Sequence, residues 1–302
     1  MDTTYHTPVM LPKCLEALNI QVNGKYADLT FGGGGHSRAI LDKLDGGKLY
    51  AFDQDDDAMK QAEKIKDANF IFIKSNFRYI TKFLKLYKGT PLDGILMDLG
   101  VSSHQIDQPE RGFMFRHDAP LDMRMNQENN FTAKELLKTY SEGELHKIFG
   151  MYGEVKNAKN LARGIVAYRV NKSIETTSEL VSILDKFAPK YHEYKYFAQV
   201  FQALRIEVNE EMKVLEEMLA QVNGVMKSGG RLVVLSYHSL EDRIVKNFMQ
   251  TGKTFGEEEK DLYGNSLNPF KILTRKPIGA DENEIAQNNR ARSAKLRIAE
   301  KK

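Results

Sequence analysis

Four consecutive glycines, Gly32 to Gly35, follow a short apolar segment, and an aspartate closes the next apolar segment 18 residues after the last of them. Tyr26 to Thr30 is the first expected strand and Leu49 to Asp53 the second, with Ala39, Ile40, Leu41 and Leu44 marking the apolar face of a helix between them. Glycines at such a turn let the backbone approach a ligand lying across the carboxyl ends of a doubly wound sheet, and an acidic residue ending the second strand takes ribose hydroxyls. The pair therefore predicts an adenosine-containing cofactor. Nicotinamide dinucleotide and S-adenosylmethionine both fit, because Ser37 stands where the third fingerprint glycine would be.

The same alternation continues. Asp56 to Lys66 reads as a helix, Phe70 to Lys74 as a strand, Tyr79 to Leu86 as a helix and Gly94 to Asp98 as a fourth strand. After Gly100 it stops. Thr132 to Tyr140, Glu142 to Met151, Ala158 to Asn171 and Ser178 to Phe187 have helical patterning, with Thr132 and Ser178 as N-caps. A long helical stretch from about Ala198 to Val222 precedes a fifth strand at Arg231 to Leu235, and Ser239 to Gln250 is helical again. Glu257 to Asp261 is an acidic surface turn, and Phe270 to Thr274 and Ala294 to Ala299 are expected to close the sheet. The pattern predicts an α/β domain, residues 1–105 and 196–302, interrupted by a helical domain, residues 106–195.

At 302 residues the chain is long enough for two domains with cores of their own, and 41% hydrophobic with 28% charged residues is ordinary for a globular protein. One cysteine, Cys14, leaves no internal disulfide and no Cys-x-x-Cys ligands for a zinc deaminase; no metal site is expected. Met1 to His6 lacks a basic leader and the apolar runs are strand-sized, so a cytoplasmic protein without a membrane span is expected. Net charge is only +3, so attraction to nucleic acid has to come from charge placement. From Arg290 to Lys302 six basic residues face one acidic one, which reads as a phosphate footprint centred on Arg290 and Arg292.

Eight strings carry a resemblance. His6-Thr-Pro-Val-Met10, Phe31-Gly-Gly-Gly-Gly-His-Ser37, Asp98-Leu-Gly-Val-Ser-Ser103 with Gln105, Arg111-Gly-Phe-Met-Phe115, Pro120-Leu-Asp-Met-Arg-Met125, Phe201-Gln-Ala-Leu-Arg-Ile206, Tyr237-His-Ser-Leu-Glu-Asp-Arg243 and Arg290-Ala-Arg-Ser-Ala-Lys-Leu-Arg297 together resemble the bacterial 16S ribosomal RNA cytosine-N4 methyltransferases, the RsmH or MraW family. The resemblance covers nearly the whole chain. It implies a class I S-adenosylmethionine-dependent methyltransferase fold, Rossmann-like with a mostly parallel sheet and an inserted α-helical domain. Its substrate would be a cytidine in the decoding region of 16S rRNA, within the small ribosomal subunit or as naked RNA. The oligomeric state stays open, a homodimer included. Carried over, the cofactor residues are Gly34, Gly35, His36, Asp53, Phe77, Asp98 and Gln105. Three departures stand out: Gly33 where many relatives have Arg or Lys, Tyr237 in place of a common Phe, and Gln199 where relatives often have Arg.

A cytosine amine is a poor nucleophile, so its methylation needs in-line positioning and an acceptor for its N–H. Asp98, ending strand four, is the first candidate and Ser102 the second. The Asn/Asp-Pro-Pro-aromatic turn of other exocyclic-amine methyltransferases is absent, so Phe113, Phe115 and Tyr237 are candidates to stack the target base. Arg111, Arg124, His238 and Arg243 are further substrate candidates, while Asp118 and Asp122 are expected to pair with the arginines and Met123 and Met125 to pack. Ser239 with Asp242 reads as a helix capping box. A nicotinamide oxidoreductase would share the first two strands, and a non-catalytic ribosome-assembly factor could keep the whole fold.

Overall fold

The structure is a computed structural model and describes residues 8–302, so His6 and Thr7 of the first string, with the rest of Met1 to Thr7, lie outside the described residues. The chain divides into two compact units, one of Met1–Gly100 with Met212–Lys302 and one of Val101–Glu211.

In chain order the first unit begins with α1 (Leu11–Leu18), β1 (Lys25–Asp28), α2 (Gly35–Leu41), β2 (Lys48–Asp53), α3 (Asp56–Ala62), β3 (Phe70–Lys74), α4 (Ile80–Leu86) and β4 (Leu92–Asp98). The second unit holds α5 (Ser103–Asp107), α6 (Ala133–Thr139), α7 (Glu142–Met151), α8 (Ala158–Asn171), α9 (Thr177–Leu184) and α10 (Glu193–Val208). The chain then continues through α11 (Glu211–Val225), β5 (Met226–Ser236), α12 (Ser239–Thr251), β6 (Phe270–Ile272), β7 (Ile278–Gly279), α13 (Glu282–Gln287) and β8 (Lys295–Lys301).

Among the described residues one sheet runs in the order β3-β2-β1-β4-β5-β8-β6, with β7 paired to β8. β1 to β5 are mutually parallel, and β8 is antiparallel to both its neighbours β5 and β6. This is the Rossmann-like, mostly parallel doubly wound arrangement that the sequence predicts. The central strands are buried along continuous apolar runs, Leu49 to Phe52 in β2 and Leu232 to Leu235 in β5, as parallel strands covered on both faces must be. The order reverses between β1 and β4, the switch point at which sheets of this kind hold ligands in a crevice beyond the carboxyl ends of the strands.

The helical unit has its own core, built from Leu136, Leu145, Phe149, Leu161, Leu180 and the inner face of α10, where Tyr196, Phe197, Val200, Phe201 and Leu204 recur at helical spacing. Capping boxes at Ser141 with Glu144 and Thr176 with Glu179 fix where α7 and α9 start.

Three expectations need correction. The stretch from Ala198 to Val222 is two helices, because Glu210 adopts the left-handed region at φ 49° and the Asn209 side chain turns back to bond the Arg205 and Met123 carbonyls. The buried face of α10 belongs to the helical core, so the units part at 100/101 and 211/212 where the sequence reading had 105/106 and 195/196. Thr176, not Ser178, caps α9, its hydroxyl accepting from Glu179 N. The expected strand over Ala294 to Ala299 falls within β8, which pairs with β5 on one edge and β6 on the other. Sequence reading had no place for α1, β7 and α13.

Candidate functional site

The glycine turn leaves β1 beside both neighbouring strands. Leu29 N donates to Leu96 O and Phe31 N to Phe52 O, while Asp98 N donates to Thr30 Oγ1 at 2.7 Å, so the ends of β1, β2 and β4 are tied together. Phe31 is buried and its ring meets Phe72 edge-on at 5.3 Å, anchoring one end of the turn in the core; burying such a side chain is worth about 1.5–3 kcal/mol. Gly34 sits at φ 76°, and a Cβ there would lie 2.6 Å from the Phe31 ring. Only glycine fits at that position, by conformation and by space.

Asp53 ends β2, with Oδ2 accepting from Gly32 N at 2.8 Å and Oδ1 from Asp55 N at 2.9 Å. Each oxygen keeps an acceptor site for a ligand hydroxyl. Burial pushes its carboxyl up to about 6, against the pull of those two backbone N–H groups. Phe77 is half-buried and follows β3 in a single 3₁₀ turn, Phe77–Tyr79, capped by Asn76, whose amide donates to Gln54.

Asp98 ends β4. Its Oδ1 accepts from the Tyr237 hydroxyl at 2.6 Å, and its Oδ2 lies 3.9 Å from His36 Nδ1. The opposite ring nitrogen, His36 Nε2, sits 3.1 Å from the Val9 carbonyl, which can only accept, so Nε2 carries a proton. Burial raises the Asp98 pKa above the ordinary carboxylate value, with His36 and the Tyr237 hydroxyl opposing and Asp28 and Glu241 adding to the rise. Burial raises the Tyr237 phenol too, with the Asp98 charge acting in the same direction. Tyr237 therefore enters the site through its hydroxyl, a role that stacking alone had not suggested, and its ring lies over Gly100.

One residue was missed. Asp28 ends β1 and is buried, with Oδ2 accepting from Ser37 Oγ at 2.6 Å and Oδ1 from Thr30 N. It explains why a serine stands at position 37: the hydroxyl satisfies a buried carboxylate under the turn. The signal was available, since an aspartate stands four residues before the first glycine of the string, at the end of the first strand.

The remaining candidates divide between the units. In the first, His238 is the N-cap of α12, its Nδ1 accepting from Glu241 N, while Glu241 accepts from the Tyr237 and His238 N–H groups. That replaces the Ser239 and Asp242 capping box, because Asp242 is held by Arg297 at 2.6 and 3.2 Å. Arg243 and Arg292 are exposed, and Arg290 is half-buried in the turn Asn289–Ser293. Arg297 is buried, Lys301 bonds the Asn223 and Met226 carbonyls, and Lys302 bonds Asn268 O. The expected phosphate footprint is thus largely engaged within the fold.

In the helical unit, Ser102 and Gln105 form the capping box of α5: Ser102 Oγ accepts from Gln105 N and Gln105 Oε1 from Ser102 N. Arg111 is 3% exposed, donates to the Arg124 and Met125 carbonyls, and lies 5.8 Å from the Phe113 ring centroid. Arg124 is paired side-on with Asp122 through two 2.7 Å bonds, as expected, whereas Asp118 instead accepts from Ser178 N. Phe115 packs edge-on against Phe197 and Phe201. Met123 is buried. Arg111, Phe113 and Arg124 are brought together in one strap, but their polar groups face backbone and carboxylate partners of the same unit.

The sequence matches the MraW methylase family over residues 3–302. Ribosomal RNA small subunit methyltransferase H of Cytophaga hutchinsonii is 59% identical over 297 residues, spanning 98% of this chain and 99% of that one. The proteins of the same name from Bacteroides fragilis strain YCH46 and Flavobacterium johnsoniae are each 52% identical, over 302 and 304 residues, spanning all of this chain and 99% and 100% of theirs. With a family match over residues 3–302 and relatives above 50% identity across nearly their whole length, the chain belongs to the MraW methylase family.

Proposed function

We propose that this methylase transfers the methyl group of S-adenosylmethionine to the exocyclic N4 of a cytidine in the decoding region of 16S ribosomal RNA, acting in the cytoplasm on the small ribosomal subunit. The names of its relatives support small-subunit RNA as the substrate, and the matching strings support the N4 chemistry. No helix among the described residues is long and apolar enough to cross a membrane.

The crevice fits the cofactor. The left-handed Gly34 allows close backbone approach, Asp53 keeps free acceptor sites for ribose hydroxyls, and half-buried Phe77 offers an apolar surface for adenine. When bound, S-adenosylmethionine supplies an electrophilic methyl on a sulfonium. The protein's part is then positioning and acceptance of a proton.

The observation that carries the reading is the Asp98 carboxylate, held at the end of β4 by the Tyr237 hydroxyl and by its own N–H to Thr30. It accepts the amine N–H as the nitrogen attacks, and the amine becomes acidic as its lone pair is committed, so a modest base suffices. Attack from the ring carbon C5 would instead need a thiolate nucleophile. Cys14 is fully buried and its thiol is pushed up by that burial, so the chain has no thiolate to offer.

The test is transfer of labelled methyl to small subunits from cells lacking this enzyme, at saturating cofactor. Asp98→Ala is expected to lower turnover by about a hundredfold or more. Asp98→Asn should keep part of the rate, because its amide oxygen still accepts. Unchanged turnover in Asp98→Ala would remove Asp98 from the chemistry.

A further inference from the structure

The cations between 290 and 302 are mostly held inside the fold, which leaves open what grips the phosphates of an RNA substrate. A different group of cations lies in the helical unit. Lys156 and Lys159 flank the start of α8, Lys186 and Lys190 follow α9, and Lys195 lies in the first turn of α10. All five are exposed, and among the described residues no salt bridge or hydrogen bond engages any of their ammonium groups.

These segments are fastened to one another. The Asn157 side chain donates to Phe187 O at 2.9 Å and accepts from the Tyr196 hydroxyl at 2.9 Å, joining the start of α8 to the α9–α10 connection and to α10 itself. The Phe187 ring lies flush on Gly164 of α8, so close that a Cβ there would be 2.2 Å away. Packing therefore clusters the lysines around one junction.

Two large aromatic side chains project from the same junction. Tyr191 is 92% exposed and Tyr194 74%, where side chains of this size are ordinarily mostly covered. Tyr191 holds a left-handed backbone, φ 66°, unusual for a bulky residue, with its N–H bonded to the Glu193 carboxylate. The Tyr194 ring lies 6.2 Å from that of Phe115, which itself is packed into the core and so presents Tyr194 as the accessible member of the pair. Of the two exposed acids here, Glu154 and Asp185, neither offsets five lysines.

We propose that this junction is a single-stranded RNA contact: Lys156, Lys159, Lys186, Lys190 and Lys195 engage phosphates, and Tyr191 and Tyr194 stack unpaired bases. Ammonium groups on flexible stems suit a backbone of variable course, and aromatic faces accept any base, so the surface favours RNA shape over sequence. The inference rests on the RNA-substrate reading above and adds a second contact to it.

The test uses the full-length enzyme and unmethylated small subunits, with binding measured across a salt series. Replacing Lys186, Lys190 and Lys195 by Gln together should weaken binding about tenfold or more and flatten the slope of log affinity against log salt by about two. Tyr191→Ser, altering a side chain with almost no contacts, should weaken binding by about fivefold or more and leave the salt slope unchanged. Affinity for S-adenosylmethionine and the thermal midpoint should be unaltered in both. Normal binding and salt slope in both variants, with an unaltered enzyme that binds and methylates subunits, would overturn the RNA contact alone. An unaltered enzyme that neither binds nor methylates subunits would overturn the substrate reading and this contact with it.

Discussion

Asp28, Asp53 and Asp98 end three adjacent parallel strands, and their surroundings separate their roles. Asp28 is sealed under the turn by Ser37, Asp53 is held by two backbone N–H groups, and Asp98 faces a phenol and an imidazole. Sequence spacing pointed to Asp53 and Asp98 because strand ends are where ligands lie, but it could not show that Asp28 would be buried or that the Tyr237 hydroxyl would reach Asp98. Such pairings depend on which strands become neighbours, and β5 arrives beside β4 only after more than a hundred intervening residues. Asp53 also gives a pH prediction. Its carboxyl titrates near 6 in the free protein, and ribose hydroxyls donate to the ionised form, so the bound state should titrate lower. Cofactor affinity should then be full above about pH 6 and fall by up to about tenfold per unit below it. Calorimetric titration at a series of pH values, with Asp53→Asn as reference, measures this. Wild type and Asp53→Asn losing affinity in parallel would contradict it.

Among the elements, those with a strong hydrophobic period were legible: β3, α7 and α8 fall where the sequence places them, and β2, β4 and α12 within two residues at either end. The failures have physical causes. Helix periodicity runs through Asn209 and Glu210 because the break is made by a side chain bonding backward, and a basic run reads as a phosphate footprint until the partners its charges find within the fold are known. Strand β8 shows what those charges do. Arg297 is buried against Asp242 of α12, with Lys295 at 3.5 Å, and although burial pushes the Asp242 carboxyl up, the bond and charge of Arg297 outweigh it and hold the pKa below the ordinary value. Its contribution to stability is present above the unfolded pKa, near 4, and is lost as pH falls through the lower folded value. Asp242→Ala leaves a buried guanidinium without its partner and should cost about 3 kcal/mol in urea unfolding at neutral pH, whereas Asp242→Leu with Arg297→Met should recover most of it. A loss of less than about 1 kcal/mol for Asp242→Ala would mean that the pair is solvated rather than structural.

At the scale of the molecule, a discontinuous α/β unit and a continuous helical unit each close a core of their own, which is why the alternation of strands and helices stops after Gly100 and resumes at β5. The architecture was legible because hydrophobic period changes where the layer type changes. The boundaries were not, since whether α10 packs inward on the helical core or on the sheet is decided by tertiary contacts. The proposed chemistry is transfer of a methyl group to an exocyclic amine at the carboxyl ends of the strands of the α/β unit. It is tested most directly by digesting methylated small-subunit RNA to nucleosides and identifying the product by mass spectrometry against standards. N4-methylcytidine, absent when Asp53→Ala replaces the unaltered enzyme, is the predicted result. A product methylated at C5, on the ribose or on another base would contradict it.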